Sequence, residues 1–408
     1  MNDIQQEIKT ALMNRGVVFD LSSKSFENPT KEKSILRLFS GVNFPVDASF
    51  YKECLSMAMH TISSYNDKEH LWEYIEELFL KELNLSNKNF GFYTECSGTD
   101  AAKSLYKQLF GNLDRTILCV GNHDHQNVIG ASYCATNKVV ISIESLEYNG
   151  VWNVRSYSWF KELEKLLLSG AYDKLIINIV GTDTILGERL PDSFFAELKK
   201  EAQCIISENN LDVDLYFIID SVWEMFQLPR DYTLVDFSFM TSHALTLPDG
   251  FGLVLYNKKH QKVLSANIAE HNTPYDCVIV LASYYYIKRI KMFHQSFYYG
   301  LEKVISTFSD WLKYKVGYTL KRVRTNYYLD TSPSVLGVKI YNDSGREVPL
   351  HLFRPFKAPK PIHEAYGQGS IFRISSKDIL ESERRLYEIL YFIYLICYND
   401  KVGNYGNY

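Results

Sequence analysis

Five short segments of this 408-residue chain carry side chains able to hold an anion, a charged ring or a proton. Thr94-Glu95-Cys96-Ser97-Gly98-Thr99-Asp100-Ala101-Ala102 gathers hydroxyls and a glycine where a helix would open. Free backbone N–H groups there can cradle a phosphate, although Ser and Thr near a helix start are usually just caps. Asn122-His123-Asp124-His125-Gln126-Asn127 follows an apolar run. Its His-x-His could ligate a metal, but no third ligand of suitable spacing accompanies it, and a polar capping loop accounts for it as well. Ile218-Ile219-Asp220-Ser221 ends a buried run on an acid, which is expensive unless the carboxylate faces a cation or a protonated ring nitrogen. Thr241-Ser242-His243-Ala244 ends another run in hydroxyls and an imidazole, and Pro248-Asp249-Gly250-Phe251-Gly252 turns the chain into the next. Ser370-Ile371-Phe372-Arg373-Ile374-Ser375 places one arginine in an apolar strand, as a structural ion pair or a carboxylate-binding fork.

These segments need elements that bring them together. Apolar runs at Thr116–Val120, Val139–Ile143, Lys174–Val180, Leu215–Asp220, Val235–Thr241 and Gly252–Tyr256 alternate with helical stretches at Thr99–Phe110, Trp159–Leu168 and Asp192–Glu208. Continuous apolar strands separated by helices predict an α/β fold with a mainly parallel sheet covered on both faces. Ligands on such sheets collect at the carboxyl ends of the strands, and three of the five segments directly end or follow one of these runs. Val46 to about Leu85 has helical spacing, opened by Pro45 and Asp47. After Pro274 a long helix runs from Val278 to about Tyr314. Strands at Val335–Tyr341 and Ser370–Ser375 and a helix at Lys377–Cys397 then predict a smaller α+β domain. The expected division is 1–45 as an N-terminal arm, part of the small domain and a substrate loop, 46–280 as the large domain, and 281–408 as the connecting helix and small domain.

In their order along the chain these features resemble the fold-type-I pyridoxal-phosphate enzymes, more closely the class V aminotransferase and cysteine desulfurase branch. The resemblance covers roughly Gly91 to Gly252 and the strand at Arg373. It implies pyridoxal 5′-phosphate as cofactor, with Ser97, Gly98 and Thr99 as the phosphate turn and His125 stacked on the ring. Asp220 would face the pyridinium, Thr241 and His243 would precede the Schiff-base position, and Arg373 would clamp the substrate carboxylate. Asn43, in Gly41-Val42-Asn43-Phe44-Pro45, and Tyr366 are candidate substrate contacts. The resemblance further implies an amino-acid substrate, aminotransferase or lyase chemistry, and a homodimer.

The family's Schiff-base lysine falls on Ala244, and Lys103, Lys258 and Lys259 do not substitute easily. A methyl group cannot form an imine or shuttle a proton; general acid–base catalysis alone contributes roughly 10²–10⁴ in rate. The chain is therefore expected to be nearly inactive. The favoured expectation is a Lys→Ala variant of a working enzyme that traps an external aldimine; the alternative is a natural pseudoenzyme binding the cofactor or its amino-acid adduct. Two further departures fall on the ring's 3′-oxygen side, where Trp223 and Thr184 replace the family's glutamine and asparagine. The segment 354–370 contains no cysteine, which disfavours a sulfur-carrying desulfurase.

Composition excludes other classes. Lys and Arg number 44 against 48 Asp and Glu, a formal charge of −4 that speaks against a nucleic-acid binder or a polybasic membrane contact. At 46% hydrophobic and 23% charged the chain is globular. Seven scattered cysteines, odd in number and without a CxxC pair, predict reduced thiols. The start of the sequence shows no basic and apolar leader pattern, and the longest apolar stretch, Cys277 to Ile287, is too short for a bilayer. A soluble cytoplasmic protein is the expectation.

Overall fold

Strand and helix in this chain are dictated by where apolar side chains can be hidden. The computed structural model describes residues 3–16, 48–65, 68–110, 115–121, 138–141, 158–241, 251–264, 274–323, 330–331, 335–353, 362–364, 370–375 and 383–404. The strands are β1 (Phe90–Glu95), β2 (Thr116–Gly121), β3 (Lys138–Ile141), β4 (Lys174–Val180), β5 (Glu188–Arg189), β6 (Asp214–Asp220), β7 (Phe237–Thr241) and β8 (Gly252–Asn257). All but β5 form one seven-stranded sheet in the order β1-β8-β7-β6-β4-β2-β3. From β3 to β7 neighbouring strands pair parallel; β8 runs antiparallel to both β7 and β1. Along β4, Leu175, Ile177 and Ile179 enter one core and Ile176 enters the other. With both faces buried, such a strand needs an unbroken apolar run.

The helices are α1 (Asp3–Asn14), α2 (Ala48–Ser63), α3 (Lys68–Glu82), α4 (Gly98–Phe110), α5 (Ser158–Leu168), α6 (Asp192–Glu208), α7 (Pro274–Val316) and α8 (Glu383–Val402). Helix α4 covers one face of the sheet with Ala101, Ala102, Leu105, Tyr106 and Leu109. Residues of α2, α3, α5, α6 and the first half of α7 fill the other core. A second sheet holds β9 (Tyr318–Arg322), β11 (Val335–Asn342), β12 (Ile362–Glu364) and β13 (Ser370–Ser375) in the antiparallel order β12-β13-β11-β9, and the short β10 (Asp330–Thr331) pairs with β5. Its core combines Leu336, Val338, Ile340, Phe372 and Ile374 with Ile8 and Leu12 of α1, the second half of α7, and α8.

The expected helical stretch from Val46 to Leu85 is two helices. Ser63 and Ser64 turn their hydroxyls onto the carbonyls of His60 and Thr61, which offers the backbone an alternative to continuing the helix. The long helix starts at Pro274, a favourable first helical residue because its missing N–H has no helical partner to lose. The closing helix is described from Glu383, inside the expected span, and runs past the expected Cys397 to Val402. Strand β1, absent from the expected set, carries Gly91 and two polar residues in six, which weakens its apolar signal. No helix among the described residues is long and apolar enough to cross a membrane.

Candidate active site

The topology brings the ends of five strands to one edge. Glu95, the last residue of β1, pairs with Gly252, which also pairs with Thr241 at the end of β7. Asp220 closes β6 beside β7, and Val180 closes β4 beside Asp220. At this edge Ser97 caps α4: its Oγ accepts from the Asp100 N–H at 3.1 Å and donates to Asp100 Oδ2 at 2.8 Å. Gly98 then passes so close to β7 that a Cβ there would stand 2.6 Å from Cβ of Thr241. Only glycine permits that approach, and it brings the first turn of α4 against the end of β7 at Thr241. Thr99 is half-buried in the same turn.

Asp220 is 1% exposed. Its Oδ1 accepts from the Val222 N–H at 3.0 Å, while Oδ2 is buried with no hydrogen-bond partner among the described residues. Desolvation pushes its carboxyl up to about 7; the Val222 N–H opposes this and nearby Glu224 adds to it. A buried carboxylate oxygen left open is costly, and a protonated ring nitrogen is the kind of partner that would satisfy it.

Two loops leave the same edge. After β4, Asp183 Oδ1 accepts from the N–H groups of Ile185 and Leu186 at 2.8 and 2.5 Å, and Gly187 closes the turn at φ +70°. A Cβ on Gly187 would lie 1.8 Å from the Val335 carbonyl, so the start of β11 rests directly on this loop. After β6, residues 221–228 form a turn that holds Phe226 at φ +64°, a region bulky residues seldom enter. Glu224, fully buried, ties the two loops together. Its carboxylate accepts from Thr182 Oγ1 (3.0 Å), Arg189 Nε (3.2 Å), and Arg230 Nε and Nη2 (2.8 and 2.6 Å). Burial alone would raise the Glu224 carboxyl, but Arg230 and Arg189 outweigh it and hold it low. Arg230 also reaches Asp192 at 2.6 Å and the Leu190 carbonyl at 2.8 Å.

Arg373 arrives from β13. Its Nη1 donates to the Thr184 carbonyl at 3.3 Å, and its guanidinium stands 5.9 Å from the ring centroid of Trp223. An arginine from the second sheet thus meets both loops that flank Asp220.

No family model and no curated protein sequence matches the chain. Solved structures do match. The NifS-like protein of Rickettsia africae aligns with a TM-score of 0.55 at 15% identity, over 93% of this chain and 98% of its own. Another NifS-like protein gives 0.56 at 16%, over 87% and 96%. The alanine–glyoxylate aminotransferase of Nostoc sp. gives 0.52 at 13%, over 84% and 92%. The fold is that of the fold-type-I pyridoxal-phosphate enzymes. At these identities the likeness is one of fold.

Within the fold-type-I frame, Ser97, Gly98, Asp220 and Thr241 share one edge, and Arg373 reaches the loops beside it. Asn43, His123, His125, His243, Ala244 and Tyr366 lie outside the described residues. Two of the lysines weighed as substitutes point elsewhere. Lys258 and Lys259 follow the far end of β8, where Lys258 pairs with Glu76 at 2.9 Å and Lys259 with Asp236 at 2.7 Å. Lys103 is exposed on α4. Sequence reasoning missed Glu224, Arg189 and Arg230. A signal existed: Glu224 is an acid set among Val222, Trp223, Met225 and Phe226, a context in which a charge survives only if paired.

Proposed function

We propose that this chain binds pyridoxal 5′-phosphate and an amino acid at the carboxyl edge of the large sheet, in the manner of a transferase or lyase of the class V branch. The open Oδ2 of buried Asp220, one strand away from the Gly98–Thr241 contact, carries this reading. The group, when bound, supplies an electron sink for bonds at the amino-acid Cα. Asp220 holds a proton on the ring nitrogen and so keeps the sink effective. The N–H groups of the first turn of α4, with Ser97, Thr99, Thr241 and His243, hold the phosphate, and His125 stacks on the ring. Arg373 binds the substrate carboxylate and thereby orients the bonds at Cα, with Asn43 and Tyr366 as further substrate contacts. The working molecule is a homodimer in the cytoplasm.

Ala244 occupies the position of the imine-forming lysine, so this chain holds cofactor and amino acid with little or no turnover. Two origins fit: a lysine-to-alanine change in a working enzyme, or a natural binding relative. The test is absorbance titration with pyridoxal phosphate and a panel of amino acids, on this chain and on Ala244→Lys. The expected result is borohydride-fixable attachment of the cofactor in the lysine form alone, with turnover of one amino acid. Attachment without turnover of any amino acid favours the binding relative. No attachment in the lysine form overturns the assignment of position 244.

A further inference from the structure

Two contacts of Arg373 join it to the loops beside Asp220: its Nη1 donates to the Thr184 carbonyl, and its guanidinium stands over the Trp223 indole. A π face can hold a guanidinium without taking up its N–H donors, which a carboxylate ligand needs. Trp223 is itself 5% exposed and packed on Val335 and Val222.

The mounting of that indole is rigid from behind. Trp223 lies between Asp220, whose Oδ1 is fixed by the Val222 N–H, and Glu224, which is locked by two arginines and a threonine. From the other side Val335, its partner in packing, begins β11, the strand that pairs with β13 and sets Gly337 opposite Arg373. One residue therefore touches the chain segment that presents Arg373 and the guanidinium that Arg373 presents.

We infer that Trp223 is a positioning residue for the carboxylate clamp: its indole face fixes the Arg373 guanidinium beside the Thr184 carbonyl, and so sets the preference for ligands that bear an α-carboxylate. This rests on the reading of Arg373 as that clamp. The large ring standing where a hydrogen-bonding side chain is expected thus acts on the substrate's acid group through arginine.

The test uses two stable probes, the reduced phosphopyridoxyl adducts of L-alanine and of ethylamine, which differ by the carboxylate alone. Their dissociation constants are measured by calorimetry on the full chain, on Arg373→Leu, on Trp223→Leu and on Trp223→Phe, with thermal melts as a fold check. The expected preference for the alanine adduct collapses in Arg373→Leu. It falls roughly 3- to 30-fold in Trp223→Leu, the range of a partly desolvated cation–π contact, and less in Trp223→Phe, which keeps a smaller ring. If the leucine variant does not fold, the phenylalanine variant decides by the same ratio. Loss of the preference in Arg373→Leu with none in either Trp223 variant overturns the inference and leaves the clamp standing. An equal weakening of both probes in the Trp223 variants also overturns it, since that marks a structural role alone. No preference in the unaltered chain, or none lost in Arg373→Leu, overturns the clamp itself and the inference with it.

Discussion

At the scale of single residues, Asp220 dominates because its environment is the most lopsided. Burial places its carboxyl at about 7, against 3.8 for an ordinary aspartate. The folded chain without cofactor therefore holds a proton that the unfolded chain has already lost, and raising the pH from about 4 to about 7 favours unfolding. Across that window Asp220→Asn is expected to flatten the pH dependence, the difference from the parent growing to an upper bound on the order of 4 kcal/mol. Urea midpoints recorded for both proteins against pH give that difference directly; parallel curves would show that Asp220 does not titrate there. Pyridoxal phosphate should reverse the ranking at pH 8, because the ionised parent can pair with the ring nitrogen and asparagine cannot. Gly98 supplies a second prediction. An added methyl would meet Thr241 at 2.6 Å, in the middle of packed structure. Gly98→Ala is expected to cost about 1–3 kcal/mol of stability and to weaken cofactor binding by tenfold or more, from overpacking at the turn. An alanine variant that binds as the parent does would remove this turn from the phosphate site.

At the scale of elements, the decisive feature is the joint between two loops. Glu224 binds the loop after β4 to the turn after β6 through Thr182, Arg189 and Arg230. Removing the acid takes the shared carboxylate from two buried guanidinium groups, of which Arg230 keeps its pair with Asp192. Glu224→Ala is expected to destabilise the protein by about 3–5 kcal/mol, the usual penalty for breaking a buried pair on one side. Glu224→Gln, which keeps the shape, should fall between that variant and the parent in a thermal melt; a glutamine as damaging as alanine would point to charge alone. The joint also explains why a turn with Phe226 at φ +64° persists. Strain of this kind lasts where surrounding contacts over-determine it.

At the scale of the whole molecule, helix α7 couples the two cores. Its first half supplies Val280, Leu281 and Tyr284 to the large-sheet core, and its second half supplies Leu301, Val304 and Phe308 to the other. Melting either core would expose one half of a continuous 43-residue helix. A single calorimetric transition is therefore expected, and two resolved transitions would show that the halves unfold independently. The proposed homodimer predicts sedimentation at twice the 47.3 kDa chain mass, with the monomer mass as the contrary outcome.

The layered α/β architecture was legible in the sequence because unbroken apolar runs such as Lys174–Val180 have few other places to go than a sheet buried on both faces. Asp220 was legible for the complementary reason: an acid ending such a run must have a purpose. The helix Asp192–Glu208 matches its expected bounds because apolar periodicity is a local property, and the strand Ser370–Ser375 lies where it was expected. Contacts between distant segments were not legible. Nothing in the sequence says that Gly98 touches Thr241, that Val335 rests on Gly187, or that Glu224 meets Arg189 and Arg230. Each pairing is decided by the order in which strands lie side by side, a long-range outcome of packing. The sequence by itself determined which hydroxyls, acid and arginine stand at the ends of apolar runs or within them. Tertiary structure alone decided that Gly98, Thr241 and Asp220 share one edge, and that Arg373 reaches it seated on an indole and a carbonyl, because only a folded sheet brings residues up to 189 positions apart into contact.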